Sequence, residues 1–210
     1  MDTEALGNEL LRHVDALDSA AHRKAVASGR DYPTLRDGLQ DTGSRKMLLP
    51  ALAGLWWAGT RTDRPRLSRI GRQGLLAILL GTMVTKAGKR IVCRARPNEG
   101  GDPGRWGKAD GKHASFPSGH ATDVAALATV VGLHRGASPV TVASIGFVVA
   151  VGWSSLATER HWATDLLAGS VTGIVAGVVA DAIDQWAETR TEGDRPLTPP
   201  DRPARGADVP

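Results

Sequence analysis

Along most of its length the chain alternates apolar runs with short polar links. Five runs stand out, at residues 47–60, 73–85, 124–133, 138–158 and 166–180. The run 138–158 carries no charge and is long enough to cross a bilayer as a helix. The run 166–180 is also uncharged and is bracketed by Asp165 and Asp181. The other three are shorter, and runs of their length also occur in the buried helices of soluble bundles. Each becomes a workable span when extended by a turn to take in Lys46, Lys86 or Asp123. Long cationic side chains reach back to the interface, and an inward carboxylate can face a polar site. Gly169, Gly173 and Gly177 repeat at four-residue spacing in the last run, the kind of surface that lets helix backbones approach closely in lipid. The pattern predicts an all-α fold, a membrane-embedded bundle of about five transmembrane helices.

Ahead of these runs, Leu6, Leu10, Val14, Leu17 and Ala21 recur at helical spacing with charged residues between them. Gly29 and Pro33 end that amphipathic helix, and a second short helix is expected over 34–41. The first helix either lies on the membrane surface or covers the bundle. The first dozen residues are partly acidic and lack a long apolar stretch, so they do not read as a signal peptide. From Ala187 onward the chain is rich in Pro, Arg, Asp, Glu and Thr and is expected to be a disordered tail. The expected partition is therefore 1–43, an amphipathic helical segment; 44–186, the bundle; and 187–210, the tail.

Composition narrows the picture. The net charge is only +4 over 210 residues, and six Trp, two Phe and one Tyr form no basic-aromatic array, so nucleic acid is not an expected partner. Cys93 stands alone, which excludes an internal disulfide framework and a cysteine-based metal cage. The link 61–69 is arginine-rich, as suits a cytoplasmic loop. The segment 89–112 is basic as well, and is assigned to anion binding rather than to topology.

Three clusters carry the candidate chemistry: Lys89 with Arg96-Pro97, then Pro117-Ser118-Gly119-His120, then His161 with Asp165. The run after His120 turns at 134–139, and an antiparallel return of similar length brings His161 back to the level of His120. The helix ending near residues 86–90 delivers the first cluster to the same end. Phosphate-ester cleavage needs cations on the non-bridging oxygens, an in-line nucleophile and an acid for the leaving oxygen. Lys89 and Arg96 can supply the charge. Pro-Ser-Gly-His reads as a helix start, with Ser118 as cap, exposed N–H groups for an anion and His120 in the first turn as the acid. Asp165, four residues after His161, is placed to accept one ring N–H and free the other nitrogen as a nucleophile. Arg90, Arg94, Arg105, Lys108 and Lys112 crowd the same loop and are each read as solvated or headgroup-contacting charges.

These residues resemble the type 2 phosphatidic acid phosphatase superfamily, which also contains bacterial undecaprenyl-diphosphate phosphatases, soluble acid phosphatases and vanadium haloperoxidases. The first family motif, Lys, six residues, then Arg-Pro, stands at 89–97. The second, Pro-Ser-Gly-His, is intact at 117–120. The third, Ser-Arg, five residues, His, three residues, Asp, keeps His161 and Asp165. The resemblance covers residues 44–186. It implies that His161 is the nucleophile forming a phosphohistidine, Asp165 orients it and His120 is the acid. Lys89, Arg96, Ser118 and Gly119 would hold the phosphate, with no metal and no cofactor.

One position departs from the family. The third-motif arginine falls at Ser155, whose hydroxyl has neither the charge nor the bidentate geometry. Losing such a contact commonly costs a few kcal/mol, on the order of a hundredfold in rate. Arg160, immediately before His161, is the expected substitute. The resulting expectation is a metal-independent lipid phosphate or diphosphate phosphatase in the cell membrane, multi-pass, with its site facing outward. Its partners would be a polyprenyl diphosphate or phosphatidyl phosphate substrate and the membrane; a homo-oligomer is compatible with the sequence. The alternatives are a non-catalytic phospholipid-headgroup-binding membrane protein, which Ser155 makes credible, and a vanadium-dependent haloperoxidase, against which the short chain and apolar helices argue.

Overall fold

The computed structural model describes residues 3–100, 102–110 and 113–193, and all regular structure among them is helical. In chain order the helices are α1 (Thr3–Asp31), α2 (Pro33–Thr42), α3 (Arg45–Arg61), α4 (Pro65–Val92), α5 (Gly119–Arg135), α6 (Pro139–Ala157) and α7 (Ala163–Gly193), with a short 3₁₀ turn at Pro97–Glu99. Each of the five apolar runs is the body of one helix, α3 to α7. Local chemistry sets their starts. Proline opens α2, α4 and α6, where its missing N–H costs nothing. Ser118 and Ser138 cap α5 and α6 by accepting from Ala121 N (3.4 Å) and Thr141 N (3.3 Å). At the other end of α4, Cys93 adopts φ 47° and its N–H returns to Lys89 O, which turns the chain out of the helix and into the basic loop.

α5 is the central element and packs on α4, α6 and α7. One apolar cluster joins Leu48, Leu52, Ile78, Val124 and Val151 from α3 to α6; a second joins Ile70, Ala77, Ala126, Val130 and Ala180 from α4, α5 and α7. The α5–α7 interface is the most extensive in the bundle. Its seam is the glycine repeat. A Cβ on Gly173 would overlap Thr122 O and one on Gly169 would lie 2.5 Å from Ser118 O, so backbone rests on backbone at those two positions, while Gly177 packs on the Thr129 side chain.

The outer surface is apolar. The most apolar windows of α6 and α7 have mean hydropathy 1.8 and 1.9, yet only 22% and 28% of them is buried inside the protein. A core helix of a soluble bundle would be mostly covered; these two are long and apolar enough to cross a membrane and point that surface outward. Val142, Ile145 and Val149 on α6 and Leu167, Val171, Ile174 and Val178 on α7 form the exposed stripes. The helices α3 and α4 also turn Met47, Trp57, Leu79 and Met83 outward.

At the N-terminus, the packing face of α1 is Asp18, Ala25 and Gly29, while Leu6, Leu10 and Leu17 remain exposed. The helix therefore covers the bundle with a polar and small-residue stripe and keeps its leucines outward. It runs to Asp31, and the second helix starts at Pro33 rather than at 34. At the other terminus, α7 continues past Trp186, where the sequence places the start of a disordered tail, to Gly193. The rest of that tail, 194–210, lies outside the described residues, as do Met1, Asp2 and Lys112.

Candidate active site

Four elements deliver the three clusters to one end of the bundle: the C-terminus of α4, the loop 93–118, the N-terminus of α5 and the turn 158–162 before α7. Ser115 ties them together through its backbone. Its carbonyl accepts from His161 Nδ1 (2.9 Å) and from Lys89 Nζ (3.3 Å), its N–H bonds Arg94 O (2.8 Å), and its hydroxyl donates to Ala95 O. Lys89 Nζ also donates to Ala114 O at 2.5 Å. Two of the three ammonium hydrogens thus hold the loop, which leaves one for a ligand.

His161 is almost completely buried. A carbonyl oxygen only accepts, so the hydrogen bond to Ser115 O puts the ring proton on Nδ1 and leaves Nε2 with its lone pair. This changes the expected part of Asp165. Its Oδ2 lies 3.8 Å from His161 Nδ1, beyond hydrogen-bond distance, and is bound instead by Trp162 N at 2.8 Å. The reason is local: α7 begins only at Ala163, so His161 precedes the helix and does not share its face with Asp165. Asp165 acts on His161 through its charge, and Ser115 sets the tautomer. Burial pushes the His161 pKa down; the nearby Asp165 carboxylate opposes this, and the charges of Lys89 and Arg96 add to it. Burial thus favours the neutral imidazole.

Arg94 corrects a second expectation. Its guanidinium is fully buried rather than solvated. It binds Asp165 Oδ1 (2.7 Å), Asp18 Oδ2 (2.7 Å), Thr164 Oγ1 (2.7 Å) and Pro103 O (2.9 and 3.0 Å), and lies 4.2 Å from the centroid of the Trp106 ring. Asp18, on α1, also accepts from Thr164 N (2.9 Å) and Thr164 Oγ1 (2.6 Å). Every donor of Arg94 is committed within the protein, so it builds the site and has nothing left for a ligand.

Arg96, two residues on, is different. It is half-buried, and its Nε is buried with no hydrogen-bond partner. Burial pushes its pKa down; Glu99 opposes this, and the like charge of Arg160 adds to it. An anion would relieve both the orphaned donor and the crowding of charge.

The start of α5 presents Ser118, fully buried, then Gly119 and His120. Ser118 N donates to Asp165 O (3.0 Å), which fixes this terminus against the start of α7. A cavity of about 430 Å³ opens beside it, lined by Gly119, His120, Asp123, Arg160, Arg45, Lys46 and residues of α2. Arg160 borders this cavity from an exposed position. Lys89, Arg96 and His161 are not among the cavity walls. Ser155 does not face the cavity either: it is fully buried, with Oγ 3.3 Å from Gln40 Oε1. Ser154 donates to the same oxygen at 3.1 Å, and Gln40 Nε2 comes within 3.4 Å of His120 Nε2. The carboxamide of α2 therefore occupies the space next to residue 155 and contacts His120. Among the described residues no group of three or more His, Cys, Asp or Glu side chains is arranged to hold a metal ion.

Sequence reasoning missed Asp18, Gln40, Arg45 and Ser115 as members of this end of the bundle, and it placed Arg94 here without its buried role. Only Arg94 carried a signal, its position inside the Lys89–Arg96 motif.

The family model of the PAP2 superfamily matches residues 72–188. A lipid A 1-phosphatase from Porphyromonas gingivalis is 37% identical over 102 residues, covering 47% of this chain and 20% of the relative. The chain thus aligns with about a fifth of that protein's length. Two solved structures are similar in fold. The PAP2-type phosphatidylglycerolphosphate phosphatase from Bacillus subtilis matches with TM-score 0.65 at 23% identity, over 83% of this chain and 87% of its own. Aquifex aeolicus LpxE matches with TM-score 0.54 at 21% identity, over 70% and 83%.

Proposed function

Because the chain belongs to the PAP2 superfamily, we propose that it is a lipid phosphate or diphosphate phosphohydrolase that works without a metal through a phosphohistidine. The observation that carries this reading is the setting of His161: buried, with Nδ1–H committed to Ser115 O and Nε2 left with its lone pair for attack, where burial favours the neutral ring. Nε2 attacks phosphorus in line with the ester oxygen; the P–N bond forms as the P–O bond to the lipid breaks. His120 gives its proton to the leaving oxygen. Water then cleaves the P–N bond, with His120 as base, and inorganic phosphate leaves. Lys89, Arg96 and Arg160, with the Ser118 and Gly119 end of α5, neutralise the non-bridging oxygens. Asp165, gripped by Arg94, stabilises the imidazole as it becomes cationic on attack.

A lipid substrate, of the polyprenyl diphosphate or phosphatidyl phosphate class, is supported by the apolar outer faces and by relatives that bear the names of lipid phosphatases. The same faces support a multi-pass protein of the cell membrane in which α3 to α7 are the five spans, the site opens outward at the interface, and residues 1–43 form a separate cover. Ser155 favours one other reading, a protein that binds lipid headgroups without turnover.

Phosphate release from a panel of polyprenyl diphosphates and phosphatidyl phosphates, measured with EDTA present, tests the reading. Release by the wild type, lost in His161→Ala, is expected. No release from any lipid would refute it in favour of headgroup binding.

A further inference from the structure

The family places an arginine where this chain has Ser155, and the structure closes that route. Ser155 is buried against Gln40, whose carboxamide spans Ser154, Ser155 and His120. A guanidinium from position 155 would meet Gln40 first.

Another arginine reaches the same end of α5 from a different helix. Arg45, the first residue of α3, lines the cavity with His120 and Arg160. It is held from below by Asp123, on the same face of α5 as Gly119 and one turn from His120. Arg45 Nε lies 2.6 Å from Asp123 Oδ2, and Nη2 3.1 Å from Oδ1. Only the Nη2 contact is a hydrogen bond; Nε sits at ion-pair distance and is buried without a hydrogen-bond partner, so Asp123 anchors the guanidinium while most of its donors stay uncommitted. Its side chain is 32% exposed, against 3% for Asp123, so the pair is closed on one side and open on the other. The same Nη2 lies 3.3 Å from where a Cβ on Gly119 would stand. The guanidinium therefore rests directly against the helix terminus, close enough that a Cβ at 119 would press on it. Its charge also acts on Lys89 and on His120, so it belongs to the same electrostatic cluster.

We propose that Arg45 is a phosphate-binding residue that supplies, from the start of α3, the guanidinium missing at position 155. Asp123 orients it, Gln40 fills the vacated route, and Arg160 contributes from the turn before α7. The proposal rests on the reading of this cavity as a phosphate site. A merely structural role, an ion pair neutralising a buried carboxylate, would use only the contact with Asp123 and leave phosphate affinity indifferent to residue 45.

The test is calorimetric binding of inorganic phosphate to the detergent-solubilised full chain, in parallel with lipid hydrolysis. Arg45→Gln keeps an amide donor toward Asp123 but removes the charge. Phosphate affinity is expected to fall at least tenfold and kcat/KM about a hundredfold, alongside some loss of melting temperature from the unpaired Asp123 carboxylate. Arg45→Lys keeps a charge without the fork, so an intermediate affinity is expected, and this variant serves if the glutamine variant does not fold. Asp123→Asn, which leaves the cation, should weaken phosphate less than Arg45→Gln. Affinity within twofold of wild type in both Arg45 variants would overturn the proposal. If the wild type hydrolyses lipid while those variants keep their phosphate affinity, the proposal fails and the phosphatase reading stands. If no lipid is hydrolysed but phosphate binding depends on Arg45, the proposal stands and that reading fails.

Discussion

Asp18 offers a demanding check, because nothing near it in sequence marks it as important. Its carboxylate is fully buried and accepts three hydrogen bonds, from Arg94 Nη2 (2.7 Å), Thr164 N (2.9 Å) and Thr164 Oγ1 (2.6 Å). Removing one partner of a buried ion pair costs about 3–5 kcal/mol. Here Arg94 keeps Asp165 and the Pro103 carbonyl, which favours the low end, about 3 kcal/mol. The orphaned Thr164 amide adds about 1 kcal/mol. Asp18→Ala is therefore expected to destabilise the protein by about 4 kcal/mol, and Asp18→Asn, which keeps the shape and one acceptor, by about half of that. Reversible unfolding in mixed micelles, followed by tryptophan fluorescence, measures both; Trp162 lies against Arg94 and reports the change. Activity should fall too, because Arg94 also grips Asp165. A loss under 0.5 kcal/mol for Asp18→Ala would refute the argument that α1 is held to the site through this carboxylate.

Four further outcomes are expected. Arg160→Ala should lower kcat/KM about tenfold or more if this guanidinium contacts the phosphate; steady-state rates near wild type would remove it from the site. Gly173→Ala should destabilise the bundle by about 1–3 kcal/mol, because its Cβ would collide with Thr122 O on α5, and thermal unfolding reads this directly. His161 has its pKa lowered in the folded state, so the stability it contributes is present above the ordinary histidine value of about 6.5 and is lost as pH falls below it. Stability measured against pH should therefore decline less steeply on the acid side in His161→Gln than in the wild type. Ser155→Arg should reduce stability through collision with Gln40, and adding Gln40→Ala should recover much of it; independent, additive losses would contradict the packing described for that pair.

The helices and the ends they share were legible because hydrophobic runs, prolines and capping serines act locally. The three motifs could be placed together because two antiparallel helices of similar length must return to the same level. What escaped depends on contacts across long sequence separations. Asp18 meets Arg94 and Thr164 across 76 and 146 residues, and Gln40 meets His120 across 80. A polar residue on an amphipathic helix looks solvated until its partner is known. His161 and Asp165 do approach each other, at 3.8 Å rather than at hydrogen-bond distance, since the i,i+4 spacing is close only inside a helix and α7 starts two residues after His161.

The glycine seam between α5 and α7 has a consequence for how this end of the protein holds its shape. His120 begins one of those helices and His161 immediately precedes the other. Their spacing is therefore gauged by main-chain atoms in contact rather than by side chains able to change rotamer. Such a contact rests on close packing of main-chain atoms more than on the burial of large apolar side chains. The seam acts as a short ruler built from main-chain contacts, and the two imidazoles stand at its end.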